Sequence, residues 1–385
     1  MISKNKVAVV TGTRAEYGLL KPLIEKLKDH FTTSIIATAM HLSPEFGMTV
    51  REIESDGFVV DEKVEMLLSA DTQTAVVKSM GLGLISFADV LDRTNPDFLV
   101  VLGDRFEILS AVTAATVLRI PVAHLHGGEL TEGAIDDNIR HAITKMSHLH
   151  FTSTDVYRNR VIQMGEHPDF VFNVGAIGLD NITSLSLLSR KELAQELDIQ
   201  FKEKVILVTY HPVTLESVSI DFQIDNLFFA LEEEGEATIV FTKANADADG
   251  RYINSRIKDW VKEHPNVYVF SSLGSLRYLS LLKAADVVVG NSSSGIVEAP
   301  MLGTPTVNIG NRQHGRIRSE SVVDCSYSRE EIKNALRRAF SEDFLKLTKV
   351  AECPYGNGTA SQKIIEILKR THFDKLIPKR FYDWS

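Results

Sequence analysis

The stretch KVAVVTGTRAEYG, residues 6–18, joins an apolar β-type run to a polar turn and the start of a helical-length segment. Further β-rich runs follow along the chain, at residues 33–40, 97–103, 121–126, 149–154 and 171–175. Strands that alternate with helical-length segments are typical of a parallel sheet, and runs that are apolar on both faces indicate helices on both sides. The sequence therefore predicts an α/β fold built on a doubly wound, Rossmann-like sheet.

The pattern begins again in the second half of the chain. A polar, helix-forming stretch at 189–197 precedes a new series of β-rich runs that starts with KVILVTYH at 204–211. A chain of 385 residues is also long enough for about two domains. We therefore expect two Rossmann-like doubly wound domains that face a cleft, at residues 1–178 and 179–365, and a C-terminal tail, 366–385, that packs back on the first domain.

Composition and charge exclude several classes of function. The net charge of −9, without a lysine- and arginine-rich stripe, argues against nucleic acid as a partner. The cysteines, Cys325 and Cys353, form no CxxC pair, which argues against a four-cysteine zinc site and indicates reduced thiols and a cytoplasmic location. We recognise no secretory leader in MISKNKVAVVTGT and no run of about 20 apolar residues, so no membrane partner is expected.

In a doubly wound sheet, ligands bind beyond the carboxyl ends of the strands, so the residues after each strand are the candidates for a site. GNSSSGIVEAP, residues 290–300, follows the run ADVVV and leads into a predicted helix. Its small residues let backbone N–H groups approach a phosphate, with Ser292 and Ser293 as further donors and Glu298 as an acceptor for ribose hydroxyls. The alternative is a serine-rich helix cap. The motif is neither GxGxxG nor a Walker loop, so neither NAD nor a kinase-type ATP site is expected.

Basic and polar residues follow several other strands. Arg14 in TGTRAEYG and Arg105 in GDRFE could each donate paired hydrogen bonds to a phosphate, and His211 lies at the first strand end of the second domain. Salt bridges, including one between Asp104 and Arg105, are the alternative. NADADG, which begins at Asn245, imitates the start of an EF-hand loop, but the glutamate that calcium binding needs at the loop's end is missing, so we reject calcium.

The segment HLHGGELTEGAIDDNIRH, residues 124–141, places acid–base groups at one strand end. His124 and His126 alternate to the same side of the strand, and Asp136 or Asp137 is expected to cap the helix that follows. These imidazole and carboxylate groups could bind zinc, and each histidine could have a structural role only. Because HxH is short and HExxH is absent, we favour proton transfer over a metal site.

Taken together, these segments resemble the hydrolysing UDP-N-acetylglucosamine 2-epimerases of the sialic acid and legionaminic acid type. The resemblance covers nearly the whole chain and rests on motifs in the family's order: TGTRAEYG, AMHLSPEFG, VLGDRFE, HLHGGE, DDNIRHAITKMSHLH, HPVT, GNSSSG with its following glutamate, and GNRQHGR. It implies a glycosyltransferase-B-like fold, a UDP-sugar substrate and an enzyme that needs neither NAD nor a metal. It also implies a homodimer or homotetramer.

The resemblance further implies that UDP-N-acetylglucosamine and water are converted to N-acetylmannosamine and UDP, for sialic-acid-type surface sugars. The route is elimination of UDP to a 2-acetamidoglucal, followed by hydration that inverts the configuration at carbon 2. Such chemistry requires a base, an electropositive cradle for the departing diphosphate, and acid–base groups that deliver water.

Roles for individual residues follow from the same resemblance. It assigns acid–base catalysis to Asp104 and Asp136, and UDP binding to Arg14, His211, Ser292, Ser293 and Glu298, with Arg105 and Asn245 as further UDP contacts. One departure is His126, where some relatives have glutamate in HIEGGE. We expect His126 to act as the base with support from Glu129, because histidine is a competent base at neutral pH. The alternative is that Glu129 itself is the base.

Several alternatives stay open. Within the family, the substrate could instead be UDP-N,N′-diacetylbacillosamine on a legionaminic acid route. Outside the family's chemistry, the chain could be a metallohydrolase that uses the histidine and aspartate cluster, a UDP-sugar sensor without turnover, or a glycosyltransferase of the same fold. The acidic groups of the first domain argue against the last two.

Overall fold

The computed structural model describes residues 5–70, 72–130, 135–213, 218–243, 250–271 and 273–383, apart from the side chain of residue 251. The chain divides into two compact units. The first unit comprises Met1–Asn181 and Tyr355–Ser385, and the second comprises Ile182–Pro354.

The first unit contains a seven-stranded parallel sheet. Its strands are β1 Lys6–Thr11, β2 Thr32–Thr38, β3 Glu62–Val64, β4 Phe98–Leu102, β5 Val122–Leu125, β6 Leu149–Thr152 and β7 Val171–Asn173. The helices between them are α1 Arg14–His30, α2 Val50–Ser55, α3 Gln73–Thr94, α4 Phe106–Val117, α5 Ile135–Met146 and α6 Asp155–Gln163. The strand order β3-β2-β1-β4-β5-β6-β7 extends the Rossmann arrangement by one strand.

The second unit repeats this plan with a six-stranded parallel sheet. Helix α7 Asp180–Ser184 lies at the boundary, and the helices that follow are α8 Arg190–Leu197, α9 Ile220–Glu232, α10 Gly250–Glu263, α11 Gly274–Ala284, α12 Ser294–Leu302, α13 Arg329–Ala339 and α14 Glu342–Val350. The strands are β8 Lys204–Thr209, β9 Ala237–Thr242, β10 Val267–Phe270, β11 Val287–Gly290, β12 Thr306–Ile309 and β13 Val322–Cys325. Their order is β10-β9-β8-β11-β12-β13, again the Rossmann order.

The central strands are buried on both faces. In β1, Val7 and Val9 enter one hydrophobic cluster while Ala8 and Val10 enter the other. Because neighbouring side chains on a strand point to opposite faces, such continuous apolar runs require a helical layer on each side. The same alternation divides β8 between two clusters. The predicted α/β class with two doubly wound domains is confirmed.

The C-terminal helix, α15 Ala360–Arg370, belongs to the first unit. Asp180 binds the N-terminus of this helix by accepting the N–H groups of Ala360 at 2.9 Å and Ser361 at 2.6 Å. The apolar face of α15 packs into the core of the first unit. The predicted end of the second domain at 365 is therefore corrected to 354, and the first boundary falls after Asn181 rather than at 178. Helical periodicity alone does not indicate which of two similar sheets a helix covers.

Helix α3 bears on the expectation that the chain has no membrane partner. Among the described residues, it is the one helix that is long and apolar enough to cross a membrane, although only 33% of its most apolar window is buried. It begins at a capping threonine, Thr72, and one side of it packs on α4. A core helix passes the same test of length and composition, so α3 alone does not assign the chain to a membrane.

The cap on α15 gives a test of this domain assignment. Asp180→Asn removes the charge and one of the two acceptor oxygens, so we expect the protection of the amides in 360–370 to fall by about 1 kcal/mol or more. Hydrogen exchange followed by mass spectrometry measures this, with α14 as an internal reference. Asp169→Asn is the control, because the Asp169 side chain is 81% exposed in the same unit. Equal protection in both variants would contradict the assignment.

Candidate active site

The carboxyl ends of β4 and β5 lie side by side because the two strands pair in parallel. The loop after β4 carries Asp104, and the loop after β5 carries His126 and Glu129. Helix α5 follows the second loop and has Asp136 in its first turn. The predicted acid–base residues therefore come from adjacent strand ends and from one helix start.

Arg140, on α5, joins these groups. Its Nη2 contacts the carboxylate of Asp104, and its Nη1 lies 3.4 Å from Oε2 of Glu129 and donates to the backbone oxygen of His126 at 3.4 Å. Arg140 is only 5% exposed. Arg140 was not predicted as a site residue from the sequence. The available signal was its position one helical turn after Asp136, on the side of α5 that also buries Ile143.

His126 and Glu129 form a pair with a defined orientation. The imidazole Nδ1 lies 3.1 Å from Oε1 of Glu129, and the backbone N–H of Ile177 donates to Nε2 at 3.3 Å. Because Nε2 accepts a hydrogen bond, the neutral ring carries its proton on Nδ1 and donates it to the carboxylate. Ser153 also donates to Glu129, at 2.7 Å. The backbone of His126 has a φ of 64°, in the left-handed region.

Asp104 and Asp136 interact electrostatically. Burial raises the pKa of Asp104, Arg140 opposes this shift, and the charges of Asp136 and Glu129 add to it. Helix α5 begins at residue 135, so Asp136 and Asp137 lie in its first turn and not at the predicted cap. Acidic side chains in the first turn still interact favourably with the positive end of the helix dipole.

Arg105 does not pair with Asp104. Its Nε donates to Oε1 of Glu107 at 2.6 Å, and Glu107 is fully buried. Burial, with the nearby charge of Glu107, raises the pKa of Glu16 to about 8, while Glu16 accepts the N–H of Gly12 at 2.7 Å. This pair of buried carboxyl groups, in the first turns of α1 and α4, was not predicted from the sequence.

Arg14 and His124 were also considered from the sequence, and each has other partners than the group around Arg140. Arg14 is the first residue of α1 and forms an ion pair of 3.6 Å with Glu52, in which both side chains are about half exposed. His124 is fully buried: it bonds the carbonyl of Gly103 at 2.7 Å, and burial lowers its pKa to about 3. His124 thus has a structural role, and no group of metal-binding side chains lies within the described ranges.

Asn291 organises the predicted phosphate loop in the second unit. Its side chain accepts the backbone N–H of His211 at 2.7 Å and donates to the carbonyl of the same residue at 2.8 Å. Its backbone oxygen accepts hydrogen bonds from Arg312 at 3.0 Å and Gln313 at 2.8 Å. Asn291 therefore ties together the loops after β8, β11 and β12. The serines of this motif were predicted from the sequence as site residues, whereas Asn291 was not.

The loop leads directly into a helix N-terminus. Helix α12 begins at Ser294, immediately after Ser292 and Ser293, and Glu298 lies one turn into it. Gly290 has a φ of 130°, and a Cβ there would lie 2.0 Å from the carbonyl oxygen of Thr209, so only glycine permits this approach. Closely spaced N–H groups at a helix start favour an anion. The loop is therefore suited to a phosphate.

His211 faces this loop from the end of β8. Its Nδ1 is buried and has no hydrogen-bond partner among the described residues. Burial, with Arg312 nearby, lowers the pKa of His211 to about 4, so the ring is neutral at neutral pH. The remaining predicted contact, Asn245, lies outside the described residues.

A cavity of about 980 Å³ lies elsewhere in the first unit, beside β7 and α15. Its lining mixes basic residues such as Arg158 and Lys363 with acidic ones such as Asp155 and Glu366. None of the predicted site residues lines it, so the proposed chemistry is not placed there.

Comparisons with known proteins point to one family for this chain. A family model described as UDP-N-acetylglucosamine 2-epimerase matches residues 25–369. The chain is 40% identical over 386 residues to a GDP/UDP-N,N′-diacetylbacillosamine 2-epimerase (hydrolyzing) of Campylobacter jejuni, with 99% of this chain and 100% of that protein covered. It is 37% identical over 367 residues to the polysialic acid biosynthesis protein P7 of Escherichia coli, with 94% and 93% covered.

Solved structures show the same fold. The crystal structure of UDP-GlcNAc 2-epimerase from Neisseria meningitidis bound to UDP-GlcNAc has a TM-score of 0.75 at 22% identity and covers 95% of this chain and 100% of that one. The family match and the full-length relatives lead to one conclusion: this chain belongs to the UDP-N-acetylglucosamine 2-epimerase family.

Proposed function

We propose that the protein is a hydrolysing 2-epimerase that acts on a UDP-activated 2-acetamido sugar. The observation that carries this proposal is the acid–base group at the ends of β4 and β5, formed by Asp104, His126, Glu129 and Asp136 around Arg140. The name of the C. jejuni relative, a hydrolysing 2-epimerase, supports the reaction type.

In the first half of the reaction, a base removes the proton on carbon 2. UDP leaves with the electron pair of the bond between carbon 1 and oxygen, and a double bond forms between carbons 1 and 2. We assign the base to Nε2 of His126. Glu129 accepts a hydrogen bond from Nδ1–H, an arrangement in which a carboxylate orients a catalytic imidazole. The hydrogen bond of 3.3 Å from Ile177 to Nε2 must open before the proton is transferred.

In the second half, water adds across the double bond. The hydroxyl group of the water binds carbon 1. A proton is added to carbon 2 on the face opposite to the one from which the first proton was removed, which gives the manno configuration. We assign this acid–base work to Asp104 and Asp136. Because burial raises the pKa of Asp104, this carboxyl keeps its proton to higher pH than an exposed aspartate, as a general acid requires.

The second unit is assigned to UDP. Ser292 and Ser293 at the start of α12, together with the neutral ring of His211, would donate to the diphosphate, and Glu298 would accept from the ribose. Donors that are fixed before the reaction stabilise the charge that develops as a leaving group departs. We further assign UDP contacts to Arg14, Arg105 and Asn245, as the family resemblance implies.

Two substrates fit the proposed reaction. The name of the C. jejuni relative favours UDP-N,N′-diacetylbacillosamine, whereas the family description favours UDP-N-acetylglucosamine. The two sugars share the reacting carbons 1 and 2 and differ at carbons 4 and 6. We propose UDP-N,N′-diacetylbacillosamine as the first substrate, because that relative matches the whole chain, and UDP-N-acetylglucosamine as the second.

Proton NMR in deuterated water tests both the reaction and the substrate. Chelator-treated protein is incubated with each UDP-sugar in a separate tube, and a third tube holds the GDP form of the diacetylated sugar. In the tube that holds the active UDP-sugar, we expect release of UDP and a manno-configured sugar that carries deuterium on carbon 2, because the proton is exchanged with solvent between the two halves of the reaction. If no tube shows turnover although the protein binds UDP, the proposal is rejected in favour of a sensor or a transferase. Activity that the chelator abolishes would favour a metal-dependent hydrolase.

The assignment of the base is tested by His126→Ala. A positioned acid–base group contributes roughly 100- to 10,000-fold to the rate, so we expect kcat to fall by at least about 100-fold while the Kd for UDP is unchanged. His167→Ala is the matched control, since His167 is about half exposed in the same unit. Glu129→Gln, which keeps the size of the side chain, should give a smaller loss. Normal turnover in His126→Ala, with a large loss in Glu129→Gln, would move the base to Glu129.

The assignment of the UDP loop is tested by Asn291→Ala. The variant loses the two side-chain hydrogen bonds to His211, so we expect the Kd for UDP to rise by about tenfold or more, the equivalent of about 1.4 kcal/mol. Isothermal titration calorimetry measures the change. Asn334→Ala, at an exposed position of α13, is the control. If both variants bind UDP as the wild type does, this loop is not the UDP site.

A further inference from the structure

One guanidinium contacts three parts of the proposed catalytic group. Arg140 reaches the carboxylate of Asp104 with Nη2, and it reaches Glu129 and the backbone oxygen of His126 with Nη1. These partners lie on the loops after two neighbouring strands. Arg140 is almost fully buried, so water does not replace these contacts.

We propose that Arg140 is the positioning residue of this site, which holds the acid–base carboxyl of Asp104 and the His126–Glu129 pair at a fixed separation. This inference rests on the proposed function and adds a residue to it. Arg140 acts through its partners and is not assigned a contact with the substrate.

The shape of the side chain supports this role. A guanidinium is planar, and its two terminal nitrogens keep a fixed spacing, so two carboxylates bound to it are held at a defined distance. A lysine ammonium carries the same charge at a single point on a flexible stem. Arg140→Lys therefore separates the geometry of the pair from its charge.

Charge is the second contribution. The carboxyl of Asp104 faces Arg140 and Asp136 from α5 and Glu129 from the loop after β5. Arg140 is the cation in this set and holds the pKa of Asp104 down against burial and the two other carboxylates. Without Arg140, Asp104 stays protonated to higher pH than in the wild type.

The kinetic experiment compares Arg140→Lys and Arg140→Met with the wild type on the active substrate. Misplacement by about 1 Å can cost about 100-fold in rate, so we expect kcat to fall by about that factor in both variants, with a much smaller change in KM. The limb of the pH profile that depends on Asp104 should move to higher pH in Arg140→Met and less in Arg140→Lys. Arg158→Met is the matched control, because Arg158 donates hydrogen bonds to the backbone oxygens of Val171 and Pro168 in the same unit.

A second measurement does not depend on turnover. Carboxyl carbon NMR of protein labelled at aspartate follows the titration of Asp104, with the signal assigned through Asp104→Asn. We expect the midpoint to rise in Arg140→Met and to stay unchanged in Arg158→Met. A wild type without turnover rejects the proposed function, whereas a shifted midpoint still supports the contact between Arg140 and Asp104. An unchanged midpoint, or an active wild type whose kcat and pH profile survive both Arg140 substitutions, overturns the inference.

Discussion

A buried cation needs compensation from charged or polar partners, because its transfer from water costs several kcal/mol. Arg140 meets this requirement with carboxylates from two different loops, and the loops must therefore approach one helix face. His126 has a left-handed backbone, and its carbonyl oxygen also accepts a hydrogen bond from Arg140. The contacts of Arg140 hold the proposed base, its orienting carboxylate and the proposed acid around one positive charge.

The second unit meets a similar demand without a charge. Asn291 is fully buried. Its side-chain amide accepts one hydrogen bond from the backbone of His211 and donates another to it. Its backbone oxygen accepts hydrogen bonds from two side chains of the loop after β12. A buried amide left unpaired would be costly, so three loops are held in register. The close approach of Gly290 to Thr209 belongs to the same arrangement. In each unit one buried polar residue, not the predicted ligand-binding side chains, sets the shape of the strand ends.

The sequence predicts the parts of this protein that depend on periodicity. Apolar runs of strand length identify both sheets, and residues after the strands point to Asp104 and Ser292 because parallel strands expose their carboxyl ends together. Periodicity does not predict the partners of buried polar groups. Arg140 and Asn291 stand in motifs that the sequence shows, but their contacts are made across 36 and 80 residues of chain. The assignment of α15 to the first unit is missed for a similar reason, because the residue that caps this helix, Asp180, lies 180 residues before it.

The C-terminal segment also bears on the site through α5. Lys379 donates to the backbone oxygens of Lys145 and Ser147, at the end of the helix that carries Arg140 nearer its start. A cation at a helix C-terminus interacts favourably with the helix dipole. Lys379 also joins a buried carboxylate, Glu166. Burial alone would raise the pKa of Glu166, but hydrogen bonds from His150, Lys145 and Lys379 outweigh it and hold the pKa at about 2. Helix α5 is thus held at its C-terminal end by Lys379 and through Arg140 by Asp104 and Glu129. The C-terminal segment therefore helps to hold the guanidinium of Arg140 in place.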